Sequence, residues 1–235
     1  MTEFWPALTS AFELIIQDDG YLREIIALSL RVSLTAVLIA TVLGLPIGAM
    51  AALFRFPGRK VLVVFLNVLM GLPPVVVGLV VYLLLSRSGP LGALGLLFTP
   101  TAMVIAQFIL VLPIIAALSH QVMEEMWLEY REQLQSLGIS PLGRLTVLLW
   151  DGRFALLTAV LAGFGRATAE VGAVMIVGGN IDHVTRVMTT TIALEASKGD
   201  LPKALGLGIV LLVVSLVVNI LVYVLREFSR LRIAA

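Results

Sequence analysis

The sequence predicts an all-α fold, a polytopic bundle of about five membrane-spanning helices, on three observations. Of 235 residues, 60% are hydrophobic and only 13% charged, with a mean hydropathy of +1.06. A soluble domain carries about a quarter charged residues. Several uncharged runs exceed the roughly 18 residues that carry a helix across the hydrocarbon core. The alternation of a membrane β-barrel is absent, so helices must satisfy the backbone in lipid.

The elements follow in order. Residues 1–24 read as an external interfacial segment, with Phe4, Trp5, Leu8, Phe12, Ile15 and Ile16 at headgroup level, or as a frayed terminus. Glu3 and Pro6, and the lack of a basic start, argue against a cleaved signal. The first span is Ile25–Phe54, with 22 uncharged residues from Val32 to Leu53. The second, Val61–Leu85, has 25 uncharged residues. A Gly/Pro-rich stretch, Gly89–Pro100, leads to a third span, Thr101–Ser119. The fourth, Phe154–Gly178, contains Arg166 and Glu170, and the fifth, Ala204–Leu225, has 22 uncharged residues. Residues 25–225 thus form one transmembrane domain and 226–235 a short tail, with no regulatory domain expected after the last span. Pro46, Pro73, Pro74 and Pro113 are expected to kink spans that face protein rather than lipid.

Between the third and fourth spans lies a polar island, residues 120–153, that cannot sit in a bilayer. It carries Glu124, Glu125, Glu129, Glu132, Arg131 and Arg144, yet Met123, Trp127, Tyr130, Leu134 and Leu137 recur at helical spacing. That spacing makes an amphipathic helix with one apolar stripe. Gly138 ends it in a left-handed turn, where glycine costs least. Ser140 and Pro141 read as the cap and first residue of a second helix. A helix–turn–helix projecting from a bundle suits docking to another protein; an amphipathic loop lying on the membrane is the alternative.

Lysine and arginine flanks set the orientation. With the island cytoplasmic, Arg55, Arg59, Lys60, Arg131, Arg144, Arg153, Arg226, Arg230 and Arg232 lie inside, nine in all. Arg23, Arg87, Arg186, Lys198 and Lys203 lie outside, five in all, which places the N-terminus outside and the C-terminus in the cytoplasm. Arg31 can snorkel from its span. Arg166 lies deep in its span, about 18 Å from the end at the helical rise, where a charge costs a few kcal/mol (~3) unless paired or wet. Glu170 follows at i+4, within reach. The two form either an ion pair fixing helix packing, the expected case, or a feature of a solute pathway. Five spans without a repeat enclose little, so a symmetric dimer is the natural completion.

Other function classes are excluded. No basic stripe with interleaved aromatics suggests nucleic acid, and zero cysteines remove thiolate chemistry and disulfides. His120 and His183 alone assemble no metal cluster. No phosphate-binding loop and no nucleophile–base–acid set exist, so any ATP hydrolysis belongs to a partner.

The island resembles the coupling motif of ATP-binding cassette (ABC) importer permeases, Glu-Ala-Ala-x-x-x-Gly followed by Ile-x-Leu-Pro. Glu132 and Gly138 match; Gln133 and Leu134 depart from it, as do Leu148, Trp150 and Asp151 at the end. A second stretch, Gly165–Ile181, resembles the oxyanion permeases of the molybdate and tungstate group. Ala169-Glu-Val-Gly-Ala173, Val177-Gly-Gly-Asn-Ile181, Thr185–Thr190 and Ala193–Gly199 are closer to tungstate permeases, as is Gly71-Leu-Pro-Pro-Val-Val-Val-Gly78. Molybdate permeases more often have Gly-Glu-Phe-Gly-Ala at the matching place.

The resemblance implies a type I ABC importer permease fold with cytoplasmic coupling helices, acting as a homodimer. Trp127, Tyr130, Glu132, Leu134, Leu137, Gly138 and Pro141 would couple to a cytoplasmic ABC ATPase. No cofactor is expected in this chain; ATP and Mg2+ would be bound by that partner. An extracytoplasmic binding protein would deliver the oxyanion, tungstate first and molybdate or sulfate as alternatives. From a different class, an ATP-independent channel or secondary transporter stays open.

Overall fold

Uncharged runs bounded by turn residues become helices, and several of the breaks fall where glycine or proline removes a side chain or a backbone donor. The computed structural model describes Thr9 and residues 20–234, with side chains to Val224. Nine α-helices follow in these residues: α1 Gly20–Leu53, α2 Arg59–Met70, α3 Pro74–Leu85, α4 Pro100–Ser136, α5 Pro141–Asp151, α6 Arg153–Thr168, α7 Gly172–Gly178, α8 Met188–Ser197 and α9 Leu201–Ala234. Apart from Thr9, the segment expected before residue 20 lies outside the described residues.

Among the described residues, α1, α4 and α9 are each long and apolar enough to cross a membrane. Two bent pairs, α2–α3 and α5–α6, bring the number of candidate spans to five. The expected second span is not one helix. It breaks at Gly71-Leu72-Pro73, and its halves meet at 103°. Pro73 is extended (φ −67°, ψ 121°) and Pro74 opens α3 at a position where a missing N–H costs nothing. The expected fourth span, Phe154–Gly178, is also interrupted. α6 ends at Thr168, residues 169–171 break the helix, and the short α7 packs against α3. By length and composition α6 pairs instead with α5, bent by 72° across Gly152, as one candidate span. Pro46 and Pro113 lie inside continuous helices.

The bundle is organised around α4, which packs along α1 and touches α2, α3, α6 and α7. On α1, Ala36, Ala40, Gly44 and Gly48 repeat every four residues and are buried, a small-residue edge that admits a second helix closely. A Cβ on Gly48 would stand 2.3 Å from the Ala116 carbonyl oxygen and 2.7 Å from the His120 nitrogen. At the end that carries the turn after α4, Arg59 Nη2 bonds Glu124 Oε1 at 2.8 Å while its Nε reaches the Ala51 carbonyl. One guanidinium therefore ties the end of α1 and the start of α2 to α4. At the opposite end Leu22, Ile25, Met188, Leu207 and Val210 form a separate apolar cluster that holds α8 and α9 on α1.

Candidate functional site

Two places carry the polar residues singled out above: the helical hairpin α4–α5 and the meeting of the two interrupted segments inside the bundle.

The hairpin is built by local chemistry. The helix expected in the polar island is not separate; it is the continuation of α4 beyond the apolar stretch. Gly138 terminates it at φ +66°, as its position required. Its N–H bonds the Gln135 carbonyl at 3.0 Å, and the next N–H, of Ile139, bonds that of Leu134 at 3.3 Å. Those two bonds define a Schellman turn, and Leu134 and Ile139 share the apolar cluster that normally accompanies it. Ser140 Oγ then accepts the Gly143 N–H at 3.2 Å, with Pro141 opening α5. Arg144 Nε bonds the Ile139 carbonyl at 2.8 Å and closes the turn from the other side.

The apolar stripe divides in two. Met123 and Leu134 are buried against Ala49 and Ala52 of α1, Leu148 of α5 and Leu156 of α6. Trp127 and Tyr130 are half-buried in the same cluster. Most of the stripe thus fastens the hairpin to its own bundle. Leu137 is 72% exposed, as are Glu132, Gly138 and Pro141 to varying degree. Leu142, also 72% exposed, was not visible as a candidate in the sequence, although its place opposite Leu148 on the amphipathic α5 is a signal that could have marked it. Leu137, Pro141 and Leu142 together make an exposed apolar tip around a rigid turn.

Inside the bundle the break of α2–α3 faces the break of α6–α7. Glu170 is 4% exposed, and its Oε1 accepts the Ala173 N–H at 3.0 Å, capping the start of α7. Thr189 Oγ1 bonds the Glu170 carbonyl at 2.9 Å, and Gln107 Nε2 of α4 bonds the Ala167 carbonyl at 3.0 Å. These contacts satisfy backbone groups that the break frees. Arg166 sits 3.9 Å from Glu170 through Nη2, and the same nitrogen reaches the Leu72 carbonyl at 3.5 Å. The i+4 spacing does bring the two charges together, but as a long contact. The helices can approach because Gly78 lies against Ala173, where a Cβ would stand 2.8 Å from the Ala173 Cα.

At the far end, the loop after α7 folds back on the start of α1. Tyr21 Oη donates to Asp182 Oδ1 at 2.6 Å, Arg186 pairs with Asp182 at 2.8 Å, and His183 Nδ1 meets Glu24 at 2.9 Å. The Tyr21 hydrogen bond holds the Asp182 carboxyl below its ordinary value, and the Glu24 hydrogen bond raises the His183 imidazole. Asp182 and His183 thus belong to a polar network with Tyr21, Glu24 and Arg186. Among the described residues no three His, Asp or Glu side chains gather as a metal site.

Comparison with known proteins agrees with this architecture. Residues 44–234 match the family model described as "Binding-protein-dependent transport system inner membrane component". The tungstate uptake system permease protein TupB of Peptoclostridium acidaminophilum is 42% identical over 218 residues, covering 93% of this chain and 96% of that protein. A probable anion ABC transporter permease of Haloferax volcanii is 42% identical over 206 residues, 86% of this chain and 89% of the relative. TupB of Campylobacter jejuni is 38% identical over 174 residues, 74% of this chain and 73% of that protein. With most of its length matched and its helices arranged as a multi-pass bundle, the chain belongs to the binding-protein-dependent transport system inner membrane components, the permease subunits of ABC importers.

Proposed function

We propose that this chain is the permease subunit of a tungstate importer, passing the anion across the cytoplasmic membrane as a homodimer. The observation that carries the substrate is the likeness to tungstate uptake permeases along nearly the whole chain. Two copies of a cytoplasmic ABC ATPase supply the energy, and an extracytoplasmic binding protein delivers the anion. ATP binding draws the ATPases together and opens the spans outward; hydrolysis resets them. The excess of arginine and lysine on the hairpin side, nine against five, supports a cytoplasmic hairpin and an external N-terminus.

Uptake is to be measured in cells lacking other oxyanion importers, with the cognate ATPase and binding protein supplied. Tungstate should accumulate, and excess molybdate should suppress it weakly. Preferred uptake of molybdate or sulfate would reassign the substrate and leave the permease role standing. Both dianions are tetrahedral and close in size, so the discrimination should reside mostly in the binding protein, which holds the anion, rather than in the spans it passes.

In this reading the hairpin is the coupling element. Leu137, Pro141 and Leu142 seat in the ATPase with Glu132 beside them, while Trp127, Tyr130 and Leu134 brace the hairpin from behind. Gly138 has open space around its absent Cβ, so substitution there acts only through the backbone. Gly138→Val should cost about 1–2 kcal/mol at a left-handed position. The protein should still insert, but ATPase stimulation and uptake should fall together. Full transport by this variant would mean that the hairpin is not the coupling element.

A further inference from the structure

We infer that Arg166 is the cation that the oxyanion meets inside the membrane, with Glu170 set beside it to keep that meeting weak. The inference rests on the permease reading above and adds a residue to it.

Arg166 is placed deep in apolar surroundings. Its neighbour Ala167 is bonded by Gln107, and Gln107 stands within the apolar part of α4, about 10 Å along that helix from Pro100. A fully neutralised guanidinium in such a place would be buried and bonded on several of its five donors. Arg166 is neither. Both of its contacts, to Glu170 and to Leu72, fall on Nη2 and are long, at 3.9 and 3.5 Å. Its Nε is buried without a partner, while the side chain as a whole is 35% exposed. Glu170, by contrast, is committed elsewhere, with Oε1 on the Ala173 N–H.

The surface beside Arg166 is open and made of small residues. Ala162 and Gly165 of α6 and Ala169 just after its end are exposed around it, and Gly71 and Pro73 are exposed at the opposite break. No large side chain of α6 stands on that face, and nothing lies within 4 Å of a Cβ built on Gly165. A tetrahedral dianion can therefore come into contact with the exposed part of the guanidinium, a group that matches oxyanions well. In a two-fold dimer each copy contributes one Arg166, so one dianion can meet two guanidinium groups.

The carboxylate explains how passage stays fast. A bare arginine in low dielectric would hold a dianion too tightly for release, and conduction needs binding weak enough to leave. Glu170, at 3.9 Å, partly offsets the guanidinium charge without closing its open side. Arg166 is in this sense a stepping point rather than a trap.

The chain has no cysteine, so Ala169→Cys gives one thiol three residues from Arg166 on the open face. Its modification is to be followed in membrane vesicles holding the complete transporter, with two methanethiosulfonates, one ending in sulfonate and one in trimethylammonium. Rates are normalised to those of a free thiol. The anionic reagent should react faster by about tenfold, the effect of one unit charge a few ångströms away in a partly wet site. Arg166→Gln should abolish the preference, Arg166→Lys should keep it, and Glu170→Gln, which retains an acceptor for the Ala173 N–H, should increase it. No reaction with either reagent, or equal normalised rates in the otherwise unmodified chain, would overturn the inference even if Arg166→Gln fails to assemble. Charge-selective labelling in a transporter that takes up no tungstate would leave Arg166 as an anion contact and remove only the substrate assignment.

Discussion

Gly48→Val is expected to abolish accumulation of the folded protein in the membrane. The Cβ alone would stand 2.3 Å from the Ala116 carbonyl oxygen and 2.7 Å from the His120 nitrogen and the Ser119 Cβ. Two of those atoms are helix backbone and cannot rotate away. Overpacking in a close-packed core costs about 1–3 kcal/mol when side chains can adjust. Here α1 and α4 must separate, so the loss should reach about 3 kcal/mol or more, a large part of a typical stability. Gly44→Ala, where the contacts would be 3.1–3.3 Å and the nearest atom is the Cγ2 methyl of Ile115, should be milder. Gly208→Ala has nothing within 4 Å and should be near neutral. The check is the thermal unfolding midpoint of purified protein in detergent, together with the amount recovered from membranes. Equal behaviour of the three variants would show that the α1–α4 approach does not limit stability.

The second large effect is expected at Glu170, where size and charge can be separated. Glu170→Leu removes the acceptor for the buried Ala173 N–H and leaves Arg166 without its counter-charge. An orphaned buried N–H costs about 1–3 kcal/mol, and the lost counter-charge adds less than the full cost of breaking a buried pair, because Arg166 is 35% exposed and 3.9 Å away. Glu170→Gln also removes the counter-charge but keeps an acceptor of nearly the same shape, so it should lose less than Glu170→Leu by about the 1–3 kcal/mol of the retained hydrogen bond. Adding Arg166→Met to Glu170→Leu should recover part of the loss, because the uncompensated charge is gone. The same detergent melts measure all four proteins. If Leu and Gln prove equally harmful, the capping role is wrong; if the double variant is worse than Glu170→Leu, Arg166 is stabilised by something other than Glu170.

What could be read from the sequence was whatever local chemistry decides. The Gly138 turn, the Ser140–Pro141 start and the long apolar runs depend on backbone sterics, capping and the thickness of the bilayer. The turn and the helix start are where they were expected, and the first, third and fifth runs each lie within one helix. The break at Gly71–Pro73 announced itself through its prolines as a kink, but nothing in the residues fixes an angle of 103°. The break at residues 169–171 was not legible at all. Ala169-Glu170-Val171 contains neither glycine nor proline, and the helix stops because Glu170, Gln107 and Thr189 supply partners from outside it. The stripe on the polar island had the same weakness. Periodicity says that one face is apolar; it does not say whether the chain itself or a partner covers that face. Met123 and Leu134 turned inward, and the exposed apolar role passed to Leu137 and Leu142.

The continuity of α4 has a mechanical consequence. Thirty-seven residues without a break make a rod about 55 Å long. One end carries the Schellman turn at Gly138, and farther along the same rod Gln107 grips the Ala167 carbonyl just beside Arg166. Pro113 withholds one backbone donor within it, yet the helix runs on through that point. A tilt of a few degrees imposed at the turn must reappear, with opposite sign about its crossing with α1, where the interrupted segments meet. The Gly48 contact, too tight for even one methyl group, is the fulcrum. The lengths on either side of it fix the leverage, so adding or deleting one helical turn between His120 and Gly138 would change the stroke delivered to Arg166 without touching a single residue around it.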